Sequence, residues 1–177
     1  MRNWLRPAAL AAAIITSLAG LGLATADTGK GPAWVDAARI AKQATDGTEW
    51  LSDGRGYDAQ RYSPLTQINA SNVKQLGITW YDELDTMRGV EATPLYADGV
   101  LYNTLPWNIT MAYDARTGKR LWTYDPKVPR EYGRYACCEP VSRGVALWKG
   151  KVIIATLDGR VIALDAKSGQ PVWTQQA

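Results

Sequence analysis

The chain has 177 residues, with 20 Lys or Arg, 17 Asp or Glu and no His, which gives a formal net charge of +3. Two of the arginines, Arg2 and Arg6, lie in an N-terminal segment that we expect to be removed, and taking away two cations and no acid leaves a charge of +1. This balance excludes a basic surface for nucleic acid or for an anionic membrane.

Residues 1–26 have the features of a secretory signal peptide. A basic start is followed by an almost wholly apolar run at residues 8–23 and by small residues at 24–26, where cleavage would occur. The mature chain would begin near Asp27 and reside in the periplasm. The apolar run is shorter and richer in alanine than a good membrane span, which makes an uncleaved anchor the weaker alternative.

Residues 27–75 have little periodicity, and we interpret them as an N-terminal arm with short helices and a loop. The loop is predicted at residues 53–64, which contain several glycines and end at a proline. Two short helices are predicted on either side of it, at residues 36–42 with Asp36 as the cap and at residues 71–76 with Ser71 as the cap.

The remaining part, residues 76–177, contains an internal repeat. Residues 99–122 and 150–173 align without a gap at a spacing of 51, and each has a hairpin, a turn and a last strand opened by Trp. The apolar runs are continuous, as in strands that are covered on both faces. Repeated strands at this spacing are typical of β-propeller blades, whereas two unrelated hairpins with similar turns are the alternative. We predict an all-β fold made of the first two to three blades of a propeller, with an atypical earlier unit in which Trp80 begins a strand.

The tails of the two repeats, AYDARTGKRLW at 112–122 and ALDAKSGQPVW at 163–173, share four residues with a physical role. An Asp accepts hydrogen bonds from backbone amides of the turn, a Thr or Ser bonds back to that Asp, a Gly supplies a positive φ, and a Trp carries apolar surface into the seam between units. They are Asp114, Thr117, Gly118 and Trp122 in the first tail and Asp165, Ser168, Gly169 and Trp173 in the second.

A long insertion at residues 126–140 separates the repeated strands and carries the only two cysteines of the chain, Cys137 and Cys138. Long excursions from a rigid scaffold usually line a site. In an oxidising compartment these cysteines can pair only with each other or across chains. Neighbouring Cα atoms lie about 3.8 Å apart, below the roughly 4.4–6.8 Å of an ordinary disulfide, so an adjacent bond would be strained and would add little stability.

We therefore expect the pair to serve through its shape or its redox behaviour. The alternatives are two buried thiols that act as small apolar groups and a metal site, for which two adjacent thiolates without His leave zinc short of ligands.

Together these residues resemble the pyrroloquinoline quinone (PQQ) dependent alcohol dehydrogenases. The resemblance covers nearly all of the mature chain, and its segments occur in the expected order. They are RGYDAQRYSPLTQIN at 55–69, RGVEATPL at 88–95, ACCEPVSRGVALWKGKV at 136–152 and both tryptophan tails. The resemblance implies an eight-bladed propeller of four-stranded blades, docked by tryptophans, with the quinone near the central axis.

The resemblance also implies a cofactor site. Cys137 and Cys138 would form a disulfide ring that stacks on one face of PQQ, and Glu91 and Arg143 would contact the rim of the cofactor. Arg offers a planar, permanently charged fork that suits the carboxylates of PQQ. Glu91 would repel the anionic cofactor unless Arg143 or a protonated group intervenes. Without the resemblance, both residues are ordinary surface charges.

The activity implied is the oxidation of primary alcohols to aldehydes, with electron transfer to a cytochrome c acceptor. A Ca²⁺ or lanthanide ion beside the quinone would act as a Lewis acid, and an Asp would take the alcohol proton. The metal ligands and this catalytic Asp are expected beyond residue 177, so we assign no metal ligand in this chain and expect an N-terminal fragment that is inactive alone. A haem c domain elsewhere and membrane association through other subunits are compatible with the resemblance. The alternatives are a non-enzymatic periplasmic propeller scaffold and an inactive truncated product.

Overall fold

The computed structural model describes residues 31–177, so the predicted signal peptide and its cleavage site lie outside the described residues. Among residues 31–177, none of the helices has the length and apolar character needed to cross a bilayer. One α-helix, α1, spans Ala37–Asp46, and short 3-10 turns span Val73–Gln75, Pro106–Asn108 and Arg130–Tyr135. The strands are β1 (Leu95–Ala97), β2 (Val100–Thr104), β3 (Thr110–Asp114), β4 (Arg120–Tyr124), β5 (Ala146–Trp148), β6 (Lys151–Ala155), β7 (Arg160–Asp165) and β8 (Pro171–Gln176).

The strands form two four-stranded sheets, in the orders β1-β2-β3-β4 and β5-β6-β7-β8. Every neighbouring pair is antiparallel, and each sheet has a register shift at the same place in the repeat, after Ala112 in β3 and after Ala163 in β7. Strands β3 and β7 are largely buried, as the continuous apolar runs predict. The two blades predicted from the repeat are confirmed, although each last strand begins two residues before its Trp.

The turn before each last strand has the predicted hydrogen bonds. Asp165 accepts from the backbone N–H of Ser168 at 2.8 Å and from its hydroxyl at 2.7 Å. Asp114 does the same with Thr117, at 2.8 Å for both bonds. The glycine that follows lies in the left-handed region in each tail, at φ +72 and +71. The charged turn is therefore a repeated structural unit.

The seam between the sheets is made by a tryptophan that packs against the glycine of the next unit. The indole Nε1 of Trp122 donates to the carbonyl of Ala166 at 3.1 Å, and a Cβ built on Gly169 would lie 2.6 Å from the Trp122 ring. Tyr102, which is fully buried, donates to the same carbonyl at 3.3 Å. The ring thus occupies space that only a glycine leaves open.

Trp80 packs in the same manner without belonging to a strand. Its Nε1 donates to the carbonyl of Ala115 at 2.9 Å, and a Cβ on Gly118 would lie 2.6 Å from its ring. The prediction that Trp80 begins a strand is wrong, because residues 76–81 have no ladder partner among the described residues. The Trp80 ring instead docks on the turn at Gly118 and stacks on Tyr113, with ring centroids 6.0 Å apart. Trp173 is 42% exposed, so its predicted place in a seam is not seen within residues 31–177.

The N-terminal arm contacts both sheets. The predicted cap is correct, since Asp36 accepts from the backbone N–H of Arg39 at 2.9 Å, and the helix continues four residues past the predicted end, to a left-handed Gly47. Arg39 then pairs with Glu49 and with Asp98 in the β1–β2 turn. The arm is thereby fastened to the first sheet.

The second predicted helix is shorter than expected, a single 3-10 turn at Val73–Gln75 preceded by Asn72. Ser71 does not cap it, because its hydroxyl instead bonds the Asn69 side chain at 2.6 Å. The predicted loop at residues 53–64 contains turns and bends without a helix or strand. The side chains of Asn69 and Asn72 bond nearby backbone groups, since Asn69 accepts from the Ser71 N–H at 3.0 Å and Asn72 donates to the Gln67 carbonyl at 2.7 Å. Such local turns compete with a helix.

The main hydrophobic core lies between the arm and the two sheets. Its buried members come from all three parts of the structure: Ala33, Val35, Ile40, Leu51, Leu95, Ala97, Tyr102, Ala112, Leu147, Val152, Ile154, Ile162, Leu164 and Ala166. The arm also bonds the second sheet directly, since the backbone N–H of Lys149 donates to the Val35 carbonyl at 2.8 Å. The arm and sheets therefore share one core.

Replacing the turn aspartate by alanine, Asp165→Ala, is expected to lower the free energy of unfolding by about 1 kcal/mol. The Ser168 hydroxyl, followed by the backbone N–H groups of Ser168 and Lys167, outweighs burial and lowers the pKa of Asp165. Because the folded pKa lies below the unfolded value of about 3.9, the stabilisation is complete above that pH and is lost as the pH falls through the folded pKa. Urea unfolding of Asp165→Ala and of the unmodified protein, at pH 7 and at acid pH, measures the loss of stability. If the two proteins differed in free energy of unfolding by the same amount at every pH, the prediction would be contradicted.

Candidate functional site

The cysteine pair lies in the connection between the sheets, after the 3-10 turn Arg130–Tyr135. Both cysteines are exposed free thiols, with their sulfur atoms in contact at 2.7 Å, longer than the about 2.05 Å of a bonded pair. The alternative of two buried thiols in an apolar core is therefore wrong. An exposed pair of adjacent sulfurs presents a small, polarisable surface at the edge of the structure.

Glu91 and Arg143 form an ion pair, with the Arg143 Nε 3.2 Å from the Glu91 Oε2. The backbone brings them together, because Thr93 donates to the Arg143 carbonyl at 3.3 Å and forms a parallel bridge with Gly144. The chain before β1 thus runs beside the chain before β5. The Arg143 side chain is 82% exposed and the Glu91 side chain 45%, so most of the guanidinium faces solvent.

The four residues singled out from the sequence form one cluster. The hydrogen-bonding contact with Cys137 comes first among the causes that hold the pKa of Cys138 above its usual range, and the nearby Glu91 carboxylate acts in the same direction. Arg143 acts in the opposite direction. Since the thiolate is the reactive form of cysteine, the raised pKa makes the Cys138 thiol less reactive.

Four neighbours of the cluster were not assigned to a site from the sequence. Arg88 lies 3.8 Å from the Glu139 carboxylate, which directly follows the cysteines, and the two guanidinium groups of Arg88 and Arg130 lie 5.9 and 4.2 Å from the ring centroid of Trp107. These residues line a cleft of ≈ 500 Å³ together with Gly133 and Pro140. Arg88 and Glu139 lie within the segments 88–95 and 136–152 that carry the resemblance, whereas Arg130 and Trp107 lie outside both.

The described residues contain no group of three or more His, Cys, Asp or Glu side chains arranged to hold a metal ion. At the cluster itself, the exposed groups that can contact a ligand are the sulfur pair and the Glu91–Arg143 ion pair beside it. A flat apolar or polarisable surface flanked by an exposed guanidinium can hold a planar ligand that carries carboxylates.

Two successive four-stranded antiparallel sheets, each ending in the same capped turn and joined by a tryptophan against a glycine, define a β-propeller. Residues 50–174 match the family model described as "Glucose/ethanol/alcohol dehydrogenase, beta-propeller domain" of the PQQ type. The chain therefore belongs to the PQQ-type dehydrogenase β-propeller family.

Individual relatives agree with this assignment. The chain is 50% identical over 176 residues to the quinohemoprotein alcohol dehydrogenase ADH IIB of Pseudomonas putida, an alignment that covers 99% of this chain and 24% of that protein. It is 54% identical over 127 residues to the "1-butanol dehydrogenase (cytochrome c)" of Thauera butanivorans, covering 72% of this chain and 18% of that protein. The crystal structure of the quinohemoprotein alcohol dehydrogenase of Comamonas testosteroni superposes with a TM-score of 0.78 at 49% identity, covering 81% of this chain and 22% of that one. The chain thus spans about a quarter or less of the length of these relatives.

Proposed function

We propose that this chain forms the part of a periplasmic PQQ-dependent alcohol dehydrogenase that covers one face of the quinone. The observation that carries this proposal is the convergence of the exposed sulfur pair of Cys137 and Cys138 with the Glu91–Arg143 ion pair on one side of a propeller. In the proposed holoenzyme the two cysteines are joined in a disulfide, whose ring stacks on the cofactor. The bond forms in the oxidising periplasm, after export by the signal peptide of residues 1–26.

The residues present fit the charge and shape of PQQ. A carboxylate at Glu91 alone would repel a cofactor that itself carries carboxylates. In the structure the Glu91 carboxylate is paired with Arg143 at 3.2 Å, and the guanidinium keeps further N–H donors exposed. The Glu91–Arg143 ion pair has no net charge, and Arg143 can donate to a cofactor carboxylate while it remains paired with Glu91.

Each residue then has a distinct part in cofactor binding. The sulfur pair excludes water from one face of a planar ring, and Arg143 fixes the rotation of that ring by a directional hydrogen bond. Glu91 holds the Arg143 guanidinium in place and offers its second oxygen as an acceptor at the rim. When bound, the quinone supplies the two-electron oxidising power for the alcohol.

The whole enzyme is proposed to oxidise primary alcohols to aldehydes and to pass electrons to a cytochrome c. Support comes from the relatives named as alcohol dehydrogenases, one of which carries cytochrome c in its name. A Ca²⁺ or lanthanide ion would serve as the Lewis acid, and the catalytic Asp would lie outside this chain. A haem c domain and membrane association through other subunits are compatible with this proposal.

The proposed function is tested with the full-length protein that carries this chain, reconstituted with PQQ and Ca²⁺. We expect reduction of ferricytochrome c that depends on ethanol or 1-butanol and on added PQQ. A protein that binds PQQ stoichiometrically without alcohol-dependent reduction would support an inactive remnant. Failure to bind PQQ at all would favour the non-enzymatic scaffold.

Replacing Arg143 by methionine in that protein is expected to weaken PQQ binding about tenfold, because the charged hydrogen bond is lost and Glu91 is left unpaired beside an anionic ligand. Fluorescence titration of the apoprotein with PQQ measures the dissociation constant. Arg116→Met removes another exposed arginine, in the turn of the first tail, and is the matched control. If Arg143→Met and Arg116→Met bound PQQ with equal affinity, Arg143 would not belong to the cofactor site.

A further inference from the structure

The loop between β2 and β3 holds Trp107 in a backbone conformation that bulky residues rarely adopt. Trp107 has φ +65 and the following Asn108 has φ +60, so two consecutive residues lie in the left-handed region. Asparagine tolerates this conformation, whereas a tryptophan there is strained because its Cβ crowds the following carbonyl oxygen. Strain of this kind persists only where surrounding contacts determine the conformation, and it is concentrated at functional sites.

The surrounding contacts begin with Asn108, which anchors the loop to the second sheet. Its side-chain amide donates to the Ala155 carbonyl at 3.1 Å and accepts from the backbone N–H of Leu157 at 3.0 Å. Asn108 is 6% exposed, so both bonds lie away from solvent. The β2–β3 loop is thereby fixed to the hairpin that joins β6 and β7.

Trp107, held in this way, contacts the chain on both sides of the cysteines. Its backbone N–H donates to the Pro140 carbonyl at 2.8 Å, two residues after Cys138. The guanidinium carbon of Arg130 lies 4.2 Å from the centroid of its ring, and a Cβ built on Gly133 would lie 2.9 Å from the Trp107 Cη2. The loop that carries the cysteines is therefore fixed before and after them by one residue.

Trp107 also reaches the segment that carries Glu91. The Arg88 guanidinium lies 5.9 Å from the ring centroid and pairs with Glu139, which follows Cys138 and is itself left-handed at φ +99. The Arg88–Glu139 pair and the Glu91–Arg143 pair join the same two segments of chain. An ion pair as exposed as Arg88–Glu139 contributes little by itself, so the ring that underlies both segments is the common support.

We infer that Trp107 is a positioning residue that sets the place of the Cys137–Cys138 pair relative to Glu91 and Arg143. This inference rests on the proposed function, because the cysteine pair that Trp107 positions is the pair proposed to cover one face of PQQ. The ring acts as a rigid platform between a loop anchored in the second sheet and the two segments of the site. Its effect on the cysteines exists before any cofactor is bound.

The test measures the closing of the cysteine pair in the full-length apoprotein, in buffers of glutathione and glutathione disulfide. Closing joins the two sulfurs, and one glutathione disulfide is reduced to two glutathione thiols, so atoms and electrons balance. Trp107→Ala is expected to lower the equilibrium constant for closing the Cys137–Cys138 bond about fivefold to tenfold. The reason is that the effective concentration of one thiol at the other falls when the loop is released. Trp107→Phe keeps an aromatic face for Arg130 and is expected to stay within about twofold of the unmodified protein.

The matched control is Trp148→Ala, which removes a partly exposed tryptophan at the end of β5 whose ring lies 5.7 Å from the Lys149 ammonium. It is expected to leave the equilibrium constant unchanged. If Trp107→Ala does no more than this control, or if Trp107→Phe is as impaired as Trp107→Ala, Trp107 has no positioning role. Thermal unfolding of each variant identifies any that fails to fold. If Trp107→Ala fails to fold, Gly133→Ala in the otherwise unmodified protein carries the test, and no change in the equilibrium constant for closing the cysteine pair would then overturn the inference.

A double-mutant comparison gives the same inference a second test. Gly133→Ala places a methyl group against the Trp107 ring. In the otherwise unmodified protein it is expected to lower the equilibrium constant for closing the cysteine pair. In the Trp107→Ala background the same change is expected to have no effect, because the space is open. Additive effects of the two substitutions would overturn the inference.

PQQ binding separates this inference from the proposed function. The dissociation constant for PQQ is expected to rise in Trp107→Ala in parallel with the loss of thiol closing. If the unmodified protein does not bind PQQ but Trp107→Ala still shifts the thiol equilibrium, the proposed function fails and the positioning role stands. If PQQ binds and neither quantity responds to Trp107→Ala, the positioning role fails and the proposed function stands.

Discussion

Replacing Gly169 by alanine is expected to lower the free energy of unfolding by about 2–5 kcal/mol. Two costs add, since alanine at φ +71 is strained by about 1–2 kcal/mol and the new methyl group would lie 2.6 Å from the Trp122 ring. The Trp122 ring cannot move aside without further loss of stability, because its Nε1 donates to the Ala166 carbonyl and its neighbour Tyr102 is fully buried. Urea unfolding followed by tryptophan fluorescence measures the loss.

The matched control for this prediction is Gly99→Ala in the β1–β2 turn. Gly99 has φ +80, but a Cβ there would have nothing within 4 Å. This variant is expected to show only the conformational cost of about 1–2 kcal/mol. The difference between the two variants is the contribution of the tryptophan seam, and equal losses would show that the seam contributes nothing beyond backbone conformation.

Replacing both cysteines, Cys137→Ala with Cys138→Ala, is expected to weaken PQQ binding by about tenfold or more while changing the melting temperature of the apoprotein little. The reason is that a bond between neighbours closes the smallest possible loop, so the unfolded chain gains little freedom, on the order of 1 kcal/mol, when the bond is absent. The lost surface against the cofactor costs more. Titration with PQQ and thermal unfolding of the full-length apoprotein measure the two effects.

Reduction supplies the control for the cysteine variant. Dithiothreitol is expected to weaken PQQ binding in the unmodified protein and to have no effect on the double alanine variant, which has no sulfur pair to open. A double variant that binds PQQ as tightly as the oxidised protein would contradict the proposed cover. A large fall in the melting temperature would contradict the argument that the pair is not a stabilising link.

The blades could be predicted because the signals that define them are local. The turn formed by Asp165, Ser168 and Gly169 is specified by residues within five positions of one another, and the repeat at Asp114 gave an independent copy. The docking of Trp122 followed from the same alignment. The strand at Trp80 was predicted wrongly because a tryptophan can dock against a glycine turn without belonging to a sheet.

The surroundings of the candidate site could not be predicted in the same way. Trp107 bonds Pro140, which lies beyond the first tail and near the end of the insertion in the sequence. No pattern in the sequence near Trp107 predicts this contact. The left-handed conformations of Trp107 and Glu139 are imposed by tertiary contacts against local preference. Sequence reasoning singled out Cys137 and Cys138 from their adjacency, whereas it found Glu91 and Arg143 only through the family resemblance. The role of these residues in binding PQQ remains a prediction.

The connectivity of the sheets has a consequence for the order in which the protein folds. Every strand in each sheet pairs with its neighbour along the chain, so each sheet can assemble from hairpins with short loops to close. The seam requires the Trp122 ring to meet Gly169, which belongs to the last turn of the other sheet. We therefore expect sheet formation to precede the meeting of the sheets. In a rapid-mixing experiment the far-ultraviolet circular dichroism signal would be recovered before the tryptophan emission reaches its native value.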